Sequence, residues 1–215
     1  MNIAIILSGC GNRDGSELQE SLSLLLAIDR RNWQYQCFAP EGTFSVVSHL
    51  NGAESGQRDL LVESARIARG DIKPLSQFRP ADFDALALPG GMGAARNLST
   101  YAFDGADMTV RPDVEQAILA VYNLHKPVLA MCIAPMVLAK VLGKEGVALT
   151  LGGDNDAAKV AAHLGANVHK CGVTEVCVDA QHRIYTTPAY MVGTRISEIF
   201  AGAENMVAAL ERDCR

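Results

Sequence analysis

Cys132 lies where an apolar run of strand length meets a stretch of helical character. Residues Pro127 to Met131 have the length and apolarity of a buried strand, and residues 133–140 are typical of the first turns of a helix. A side chain on a tight strand-to-helix turn projects from the carboxyl edge of a parallel sheet, close to the amides that begin the helix. The position favours a reactive thiol nucleophile, and a buried cysteine that acts as a small hydrophobe is the alternative.

Two glycine-rich segments are expected on the same edge. The first, Gly9 to Gly15, follows the apolar run Asn2 to Ser8, and the second, Pro89 to Gly93, follows a predicted strand over 84–88. Glycines let the backbone turn sharply and leave N–H groups uncovered, which suits an anion or oxyanion site. An ordinary turn is the alternative for either segment. The candidate substrate-binding residues on these loops are Cys10, Gly11, Gly90 and Gly91.

Glu17 is the first candidate for an acid or base. It lies at the start of the helix that follows the first glycine-rich loop, so it would project toward the same edge and could hydrogen-bond the Cys132 sulfur. Glu20, one turn deeper, is a weaker candidate, and favourable interaction with the helix N-terminus is the structural alternative for Glu17. A carboxyl beside a thiol in a partly closed pocket has a raised pKa and could serve as a general base for a C–H proton.

No histidine is assigned to Cys132 from the sequence. A cysteine hydrolase needs a histidine beside its nucleophile to generate the thiolate. The five histidines are His49, His125, His163, His169 and His182. Only His169 is a candidate to reach the thiol, and a solvated or core position is the commoner fate of each.

The order of predicted elements defines the fold class. Apolar strands alternate with amphipathic helices, which predicts an α/β, flavodoxin-like, doubly wound and mostly parallel sheet with a late antiparallel hairpin. Strands are predicted over 2–8, 35–39, 84–88, 127–131, 147–151, 175–179 and 183–186, and helices over 16–29, 59–69, 110–125, 133–140, 154–164 and 191–212. Leu18, Leu22, Leu25 and Leu26 form the expected core stripe of the first helix, residues 51–59 are expected to be a connecting loop, and Gly202 is a candidate break in the last helix. Ligands of such sheets bind at the carboxyl edge near the switch point, where both glycine-rich loops and Cys132 would meet.

Composition limits the function classes. The 215 residues suit one domain, 1–215, and a net charge of -5 with 6% aromatic residues and no basic run disfavours nucleic-acid partners. The apolar start is too short for a signal or membrane helix, so a cytoplasmic protein without a membrane partner is expected. Six cysteines without C-x-x-C spacing are interpreted as free thiols, with no metal site.

Four segments together resemble one family. SGCGNRDGSELQE, LPGGMGAARNLS, VLAMCIAP and TTPAYM are similar to the ElbB family, isoprenoid-biosynthesis glyoxalases with an amidotransferase-like domain, within the PfpI-type and class I glutamine amidotransferase-like superfamily. The resemblance spans nearly the whole chain. It implies Cys132 as nucleophile, Glu17 as its acidic partner, and the Gly91 and Ile133 amides as an oxyanion pocket. It also implies a homodimer and conversion of glyoxal or methylglyoxal to the hydroxy acid without a cofactor.

One departure and two alternatives accompany this interpretation. Many superfamily members have histidine directly after the nucleophile, whereas Ile133 follows Cys132, which disfavours protease and amidotransferase roles. A thiol redox sensor or partner-binding protein, with Cys10 as resolving thiol, is the first alternative. Gly9, Gly11 and Gly15 after a first strand imitate a dinucleotide fingerprint, with Glu41 near the ribose position, but their spacing is wrong for it.

Overall fold

A seven-stranded sheet forms the centre of the computed structural model, which describes residues 1–214. Its spatial order is β10, β11, β7, β6, β1, β2, β5, and only β10 is antiparallel to its neighbour. The strands of the chain are β1 (Asn2–Ile6), β2 (Gln34–Ala39), β3 (Thr43–Val47), β4 (Glu54–Asp59), β5 (Ile72–Pro74), β6 (Ala85–Leu88), β7 (Val128–Met131), β8 (Ala148–Leu149), β9 (Asn167–Val168), β10 (Cys177–Asp179) and β11 (Ile184–Thr187). The predicted doubly wound sheet with a late antiparallel hairpin is confirmed.

Helices cover both faces of this sheet. They are α1 (Leu18–Asp29), α2 (Leu60–Ile67), α3 (Met92–Arg96), α4 (Tyr101–Asp104), α5 (Pro112–Asn123), α6 (Pro135–Leu142), α7 (Asp156–His163) and α8 (Ile196–Asp213). One group, α1, α2 and α8, packs together, and a second group is built around α5 and α6. The central strands are buried on both faces, which explains why β1, β6 and β7 are continuous apolar runs. No helix within residues 1–214 combines the length and apolarity needed to cross a membrane.

The winding direction of the sheet reverses between β1 and β6. From β1 the chain proceeds outward to β2 and β5, then returns to the other side of β1 to form β6, β7 and β11. The segments that leave β1 and β6 therefore diverge and open a crevice at their carboxyl ends. Cys132 follows β7, the strand beside β6, so the predicted meeting of the three segments at one edge is correct.

Three predicted elements differ from the structure. Residues 54–59 form an exposed strand that pairs with β3 in an antiparallel hairpin, because backbone pairing holds a polar segment without apolar alternation. The predicted strand over 147–151 shortens to β8, which pairs with β9 and not with the central sheet. Side chains take up two of its backbone amides in place of a neighbouring strand. The Asp179 carboxylate accepts from Ala148 N at 2.6 Å, and Thr186 Oγ1 accepts from Thr150 N at 2.9 Å. Gly202 does not break α8, which is continuous through it.

Most of the core stripe predicted for α1 is on the wrong face: of its four leucines, Leu25 is buried as expected and the other three are exposed. Leu18, Leu22 and Leu26 are 42%, 51% and 47% exposed, whereas Leu24, Ala27 and Ile28 are buried. Because leucines occur on both sides of α1, apolarity alone does not identify the inward face. Position 20 lies in phase with residues 24, 27 and 28 at helical spacing, so the carboxyl of Glu20 is directed into the protein.

Candidate active site

Cys132 occupies a strained turn between β7 and α6. Its φ is +59°, a left-handed conformation that a residue with a side chain rarely adopts, and such strain costs on the order of 1–3 kcal/mol. The turn is held by a hydrogen bond of 3.0 Å from Cys132 N to Thr187 O. The backbone amides of Gly91 and Ile133 favour negative charge on the sulfur, since both lower the pKa of the Cys132 thiol, and this is where the family resemblance placed an oxyanion pocket. The strand-to-helix turn predicted from the sequence is therefore present, and two amides are available to a negative charge there.

Glu20 is the carboxyl that faces the thiol. Its side chain is completely buried, and Oε1 accepts from Tyr190 N at 3.2 Å. Oε2 has no partner of conventional hydrogen-bond geometry among residues 1–214; the groups turned toward this carboxyl are the thiol of Cys132 and the amide of Gly90. Burial raises the pKa of Glu20 to about 7, against the lowering effect of these donors.

The thiol and carboxyl share one proton over a wide pH range. Burial first, and then the charge and hydrogen bond of Glu20, raise the pKa of Cys132 well above its ordinary value. Above about pH 7 the carboxyl is therefore ionised while the sulfur keeps its proton. The pair carries one negative charge, and Glu20 is placed to take the thiol proton when the sulfur attacks an electrophile.

The sequence-based choice of Glu17 as the direct partner of the sulfur is wrong. Glu17 is the N-cap of α1, and its Oε2 accepts from Glu20 N at 2.6 Å, so its carboxyl lies against the first helical turn. Burial raises the pKa of Glu17, and its side chain borders the cavity in front of Cys132. One sequence signal bears on this choice: the Glu-x-x-Glu spacing at a helix start is compatible with Glu17 as the cap, whereas the inward direction of Glu20 follows from the packing of α1.

Close approach of two loops explains the glycines of residues 90–93. Glu17 N donates to Gly90 O and Gly93 N to Gly15 O, both at 2.9 Å, which joins this segment to the loop after β1. A Cβ on Gly90 would clash with Cys132 Cβ and Glu20 Oε2, and one on Gly91 would clash with the backbone of the first loop. Gly90 and Gly91 thus bring their amides to Glu20 and to the sulfur, respectively.

A cavity of about 660 Å³ opens in front of the thiol. It is lined by Asn12, Glu17, Gln19, Gly91, Met92, Tyr101, Cys132, Ile133, Ala157, Tyr190 and Met191. Tyr190 contributes twice, since its amide holds Glu20 and its hydroxyl is hydrogen-bonded to Gln19. Ala189, which precedes this amide, has a φ of +44°, in the left-handed region that a residue with a side chain rarely adopts. The segment TTPAYM gave no sequence signal for these contacts beyond its family resemblance.

Cys10 and Gly11 do not line this cavity. Cys10 borders two other cavities, near Leu22 and near His49, and its pKa is raised by burial and by the Glu63 charge. Gly11 donates its amide to Ser16 O at 2.8 Å and packs against His49. Their predicted role in substrate binding is therefore not supported, and because Cys10 and Cys132 border different cavities, a role of Cys10 as resolving thiol is not favoured.

The charge at the N-terminus of α1 disfavours the alternative of a dinucleotide site. A bound pyrophosphate requires the N-terminus of the helix after the glycine-rich loop. That position holds the Glu17 carboxyl, whose pKa-lowering hydrogen bonds come from the amides of Leu18, Gln19 and Glu20. A phosphate would have to displace this acceptor and approach a second carboxyl, so the loop is not arranged as a nucleotide site.

None of the five histidines borders the cavity at Cys132. His182 Nδ1 lies 2.8 Å from Asp179 Oδ2 near the β10–β11 turn, and His49 Nε2 lies 3.8 Å from Asp14 Oδ1 in another cavity. His169, the candidate for reaching Cys132, is not among the lining residues either. The activation of Cys132 in this structure therefore depends on a carboxyl and on amides.

Fold and site together define a class I glutamine amidotransferase-like protein with a cysteine elbow. A crystal structure of an isoprenoid biosynthesis protein with an amidotransferase-like domain from Ehrlichia chaffeensis superposes with a TM-score of 0.93 at 33% identity, covering all of both chains. A DJ-1 superfamily protein from Salmonella typhimurium shares the fold, with a TM-score of 0.60 at 20% identity over 99% of this chain and 91% of that one. No protein-family model matches the chain.

The curated relatives identify the family. The rat ES1 protein homolog, mitochondrial, is 39% identical over 95% of this chain and 81% of its own length. The human glutamine amidotransferase-like class 1 domain-containing protein 3, mitochondrial, is 39% identical over 95% of this chain and 80% of its own length. The chain belongs to this family of ES1 and isoprenoid-biosynthesis amidotransferase-like proteins, the ElbB family indicated by its motifs.

The same comparison corrects the expected location. A cytoplasmic protein was expected from the short apolar start, but these relatives are named as mitochondrial proteins, so that expectation is wrong. The apolar start forms β1 at the centre of the sheet. Its hydrophobicity reflects burial in the fold and carries no information about the compartment.

Proposed function

We propose that the protein is a cofactor-independent glyoxalase that converts glyoxal or methylglyoxal to the corresponding 2-hydroxy acid. The observation that carries the proposal is the thiol of Cys132 beside the buried carboxyl of Glu20, under the amides of Gly91 and Ile133 and open to a cavity. The arrangement supplies a nucleophile, a base and an oxyanion pocket. Membership of a superfamily with glyoxalase-like enzymes adds support.

The chemistry begins with addition of the thiol to the aldehyde. Sulfur bonds to the aldehyde carbon as Glu20 takes the thiol proton. The new oxyanion, held by the two amides, then receives this proton from Glu20, which gives a hemithioacetal and an ionised Glu20. Glu20, which adjoins the sulfur, removes the hydrogen from the former aldehyde carbon. Glu20 returns this proton to the neighbouring carbon of the enediolate, which gives a 2-hydroxy thioester and restores the ionised carboxyl.

Water completes the reaction. It cleaves the thioester, releases the 2-hydroxy acid and restores the thiol. One carbon is oxidised and its neighbour is reduced, so the conversion balances within the substrate plus one water, and no external oxidant or reductant takes part. Glu20 assumes the proton-transfer role that the sequence assigned to Glu17, because Glu20 is the carboxyl beside the sulfur.

Three variants test the assignment. For consumption of methylglyoxal and release of lactate, we expect Cys132→Ala to abolish turnover and Glu20→Gln to lower kcat/KM by about 10²–10⁴, the usual contribution of a general base. Glu17→Gln keeps an oxygen that can cap α1 and is the matched control, with an expected loss below about tenfold. Circular dichroism verifies that each variant is folded.

The comparison between the two glutamates gives a clear outcome. Unchanged turnover in Cys132→Ala contradicts the glyoxalase proposal, and a loss in Glu17→Gln equal to that in Glu20→Gln contradicts the assignment of the base. The homodimer and the absence of nucleic-acid and membrane partners remain predictions.

A further inference from the structure

The cavity is much larger than the substrates considered above. Methylglyoxal would place its aldehyde carbon at Cys132 and fill a small part of about 660 Å³. A cavity of this size is in the range that holds drug-sized ligands. The unfilled part of the cavity is therefore available to a substituent on the ketone side of a 2-oxoaldehyde.

The wall around this space has an apolar component suited to such a substituent. Met92, Met191 and Ile133 present aliphatic or thioether surface, and Tyr101 and Tyr190 add aromatic rings. Methionine side chains adapt to irregular shapes and make favourable contacts with aromatic rings. An alkyl or aryl group that enters the cavity would be transferred from water to contact with this apolar surface.

The charges around the cavity all have one sign. Glu17 is the charged side chain in the lining, and no lysine or arginine borders the cavity within the described part of the chain. Above about pH 7, where Glu20 is ionised, the Cys132–Glu20 pair adds a buried negative charge directly behind the reacting position. The nearby Arg96 lies over the ring of Phe103 and borders a different cavity. An anionic group would meet two negative charges and no counter-ion, which is unfavourable in a partly desolvated site.

We infer that the site selects uncharged 2-oxoaldehydes with an apolar or aromatic substituent and rejects those that carry a carboxylate or phosphate. The assignment of 2-oxoaldehydes as the substrates rests on the proposed function. The charge selection does not, because it applies to any electrophile that reaches Cys132.

A pair of thiol reagents tests charge selection without requiring turnover. Iodoacetamide and iodoacetate have nearly the same size and differ by one negative charge. The quantity measured is the rate with iodoacetamide divided by the rate with iodoacetate at Cys132, determined by peptide mass spectrometry. We expect this ratio to be about tenfold higher in the folded protein than in the urea-unfolded chain, because like charges repel the iodoacetate. Equal ratios in the folded and unfolded chains would overturn the inference.

A lysine in the wall of the cavity should weaken the discrimination against the anionic reagent. Met92 is 38% exposed and borders the cavity, so Met92→Lys adds a cation near Cys132. We expect it to lower the reagent ratio severalfold. Val62→Lys, at a position 61% exposed on α2 and outside the cavity, makes the same change in net charge and should leave the ratio unaltered. Equal effects of the two lysines would show that net charge, and not the cavity, controls the ratio.

Turnover of a matched pair of substrates completes the test. We expect kcat/KM for phenylglyoxal to exceed that for 4-carboxyphenylglyoxal by about tenfold or more, and Met92→Lys to reduce the difference. Turnover of both at equal rates would overturn the substrate selection while supporting the glyoxalase. Turnover of methylglyoxal but of neither aryl substrate would overturn the selection of aromatic substituents. No turnover of methylglyoxal or of either aryl substrate, together with a selective reagent ratio, would refute the proposed function and leave charge selection standing.

Discussion

At the scale of single residues, one proton shared by Cys132 and Glu20 organises the site. A thiol alone at this depth would be a poor nucleophile, since burial opposes its ionisation. In the proposed reaction the adjacent carboxyl removes the need for a stable thiolate, because it accepts the proton as the bond to carbon forms. The amide of Ile133, the residue after Cys132, lowers the pKa of the thiol against the effect of burial, and in the proposed reaction Glu20 carries out the proton transfer.

The same carboxyl should make stability depend on pH. The folded-state pKa of Glu20 is raised from an ordinary value of 4.5 to about 7, so the folded protein binds this proton more tightly than the unfolded chain does. The contribution of Glu20 to folding is therefore full below about pH 4.5 and is lost as the pH rises to about 7, a change of about 3 kcal/mol.

Comparison of Glu20→Gln with the wild type isolates this contribution. Glutamine does not ionise, so we expect the variant to gain stability relative to the wild type by up to about 3 kcal/mol between pH 5 and pH 8. Urea unfolding at each pH measures the difference, and taking the change with pH cancels any constant effect of the amide group. A stability difference that stays constant with pH would contradict the raised pKa.

At the scale of secondary structure, the sequence predicts the central elements better than the peripheral ones. Strands β1, β6 and β7 are recognisable because burial on both faces demands continuous apolarity. The exposed strand β4 and the short β5 lack such a signal, because backbone pairing with β3 and β2, respectively, holds them without an apolar run. The contact between Glu20 and Cys132 was missed for a related reason: the inward face of α1 is set by packing against the sheet.

Gly202 shows how tertiary contact can reverse a local preference. It lies in the middle of α8, where replacement by alanine would ordinarily stabilise a helix by about 1 kcal/mol. A Cβ here would lie 2.6 Å from Val173 O and 3.0 Å from Thr187 Oγ1. Helix α8 therefore requires glycine where it passes the backbone at Val173, and overpacking of such a contact costs typically about 1–3 kcal/mol.

We expect Gly202→Ala to lower the free energy of unfolding by about 1–3 kcal/mol, despite the better helix former. Ser197→Ala, at an exposed position of the same helix, is the control and should change stability by less than about 0.5 kcal/mol. Thermal and urea unfolding measure both variants. An increase in stability of Gly202→Ala would mean that the crossing can widen without cost.

At the scale of the whole molecule, the cavity is assembled from segments that are far apart in the chain. Asn12, Glu17 and Gln19 come from the first loop and α1, Cys132 from the elbow, and Tyr190 from the segment after β11. The sheet order places these segments at one edge, and this topology was predictable from the alternation of strands and helices. The side chains that complete the wall were not, because their contacts exist only after the loops have closed on one another.

Cys132 should therefore report on cooperative folding of the domain. We expect the midpoint of urea unfolding, followed by far-ultraviolet circular dichroism, to coincide with the midpoint at which Cys132 becomes freely reactive toward iodoacetamide. Peptide mass spectrometry separates Cys132 from the exposed Cys214, which should react throughout the titration. A Cys132 transition at lower urea than the loss of secondary structure would show that the site opens separately.

The hydrogen bond from Tyr190 N to Glu20 also has a consequence for synthesis on the ribosome. Because synthesis starts at the amino terminus, β1, α1 and the elbow emerge before the segment that supplies this amide. Until that segment arrives, the Glu20 carboxyl lacks one of its donors and, as an ionised group, would resist burial. Burial of the Glu20 side of α1 is therefore less favourable until the segment after β11 has been synthesised. We expect the contact between Glu20 and Cys132 to form only when the sheet is complete.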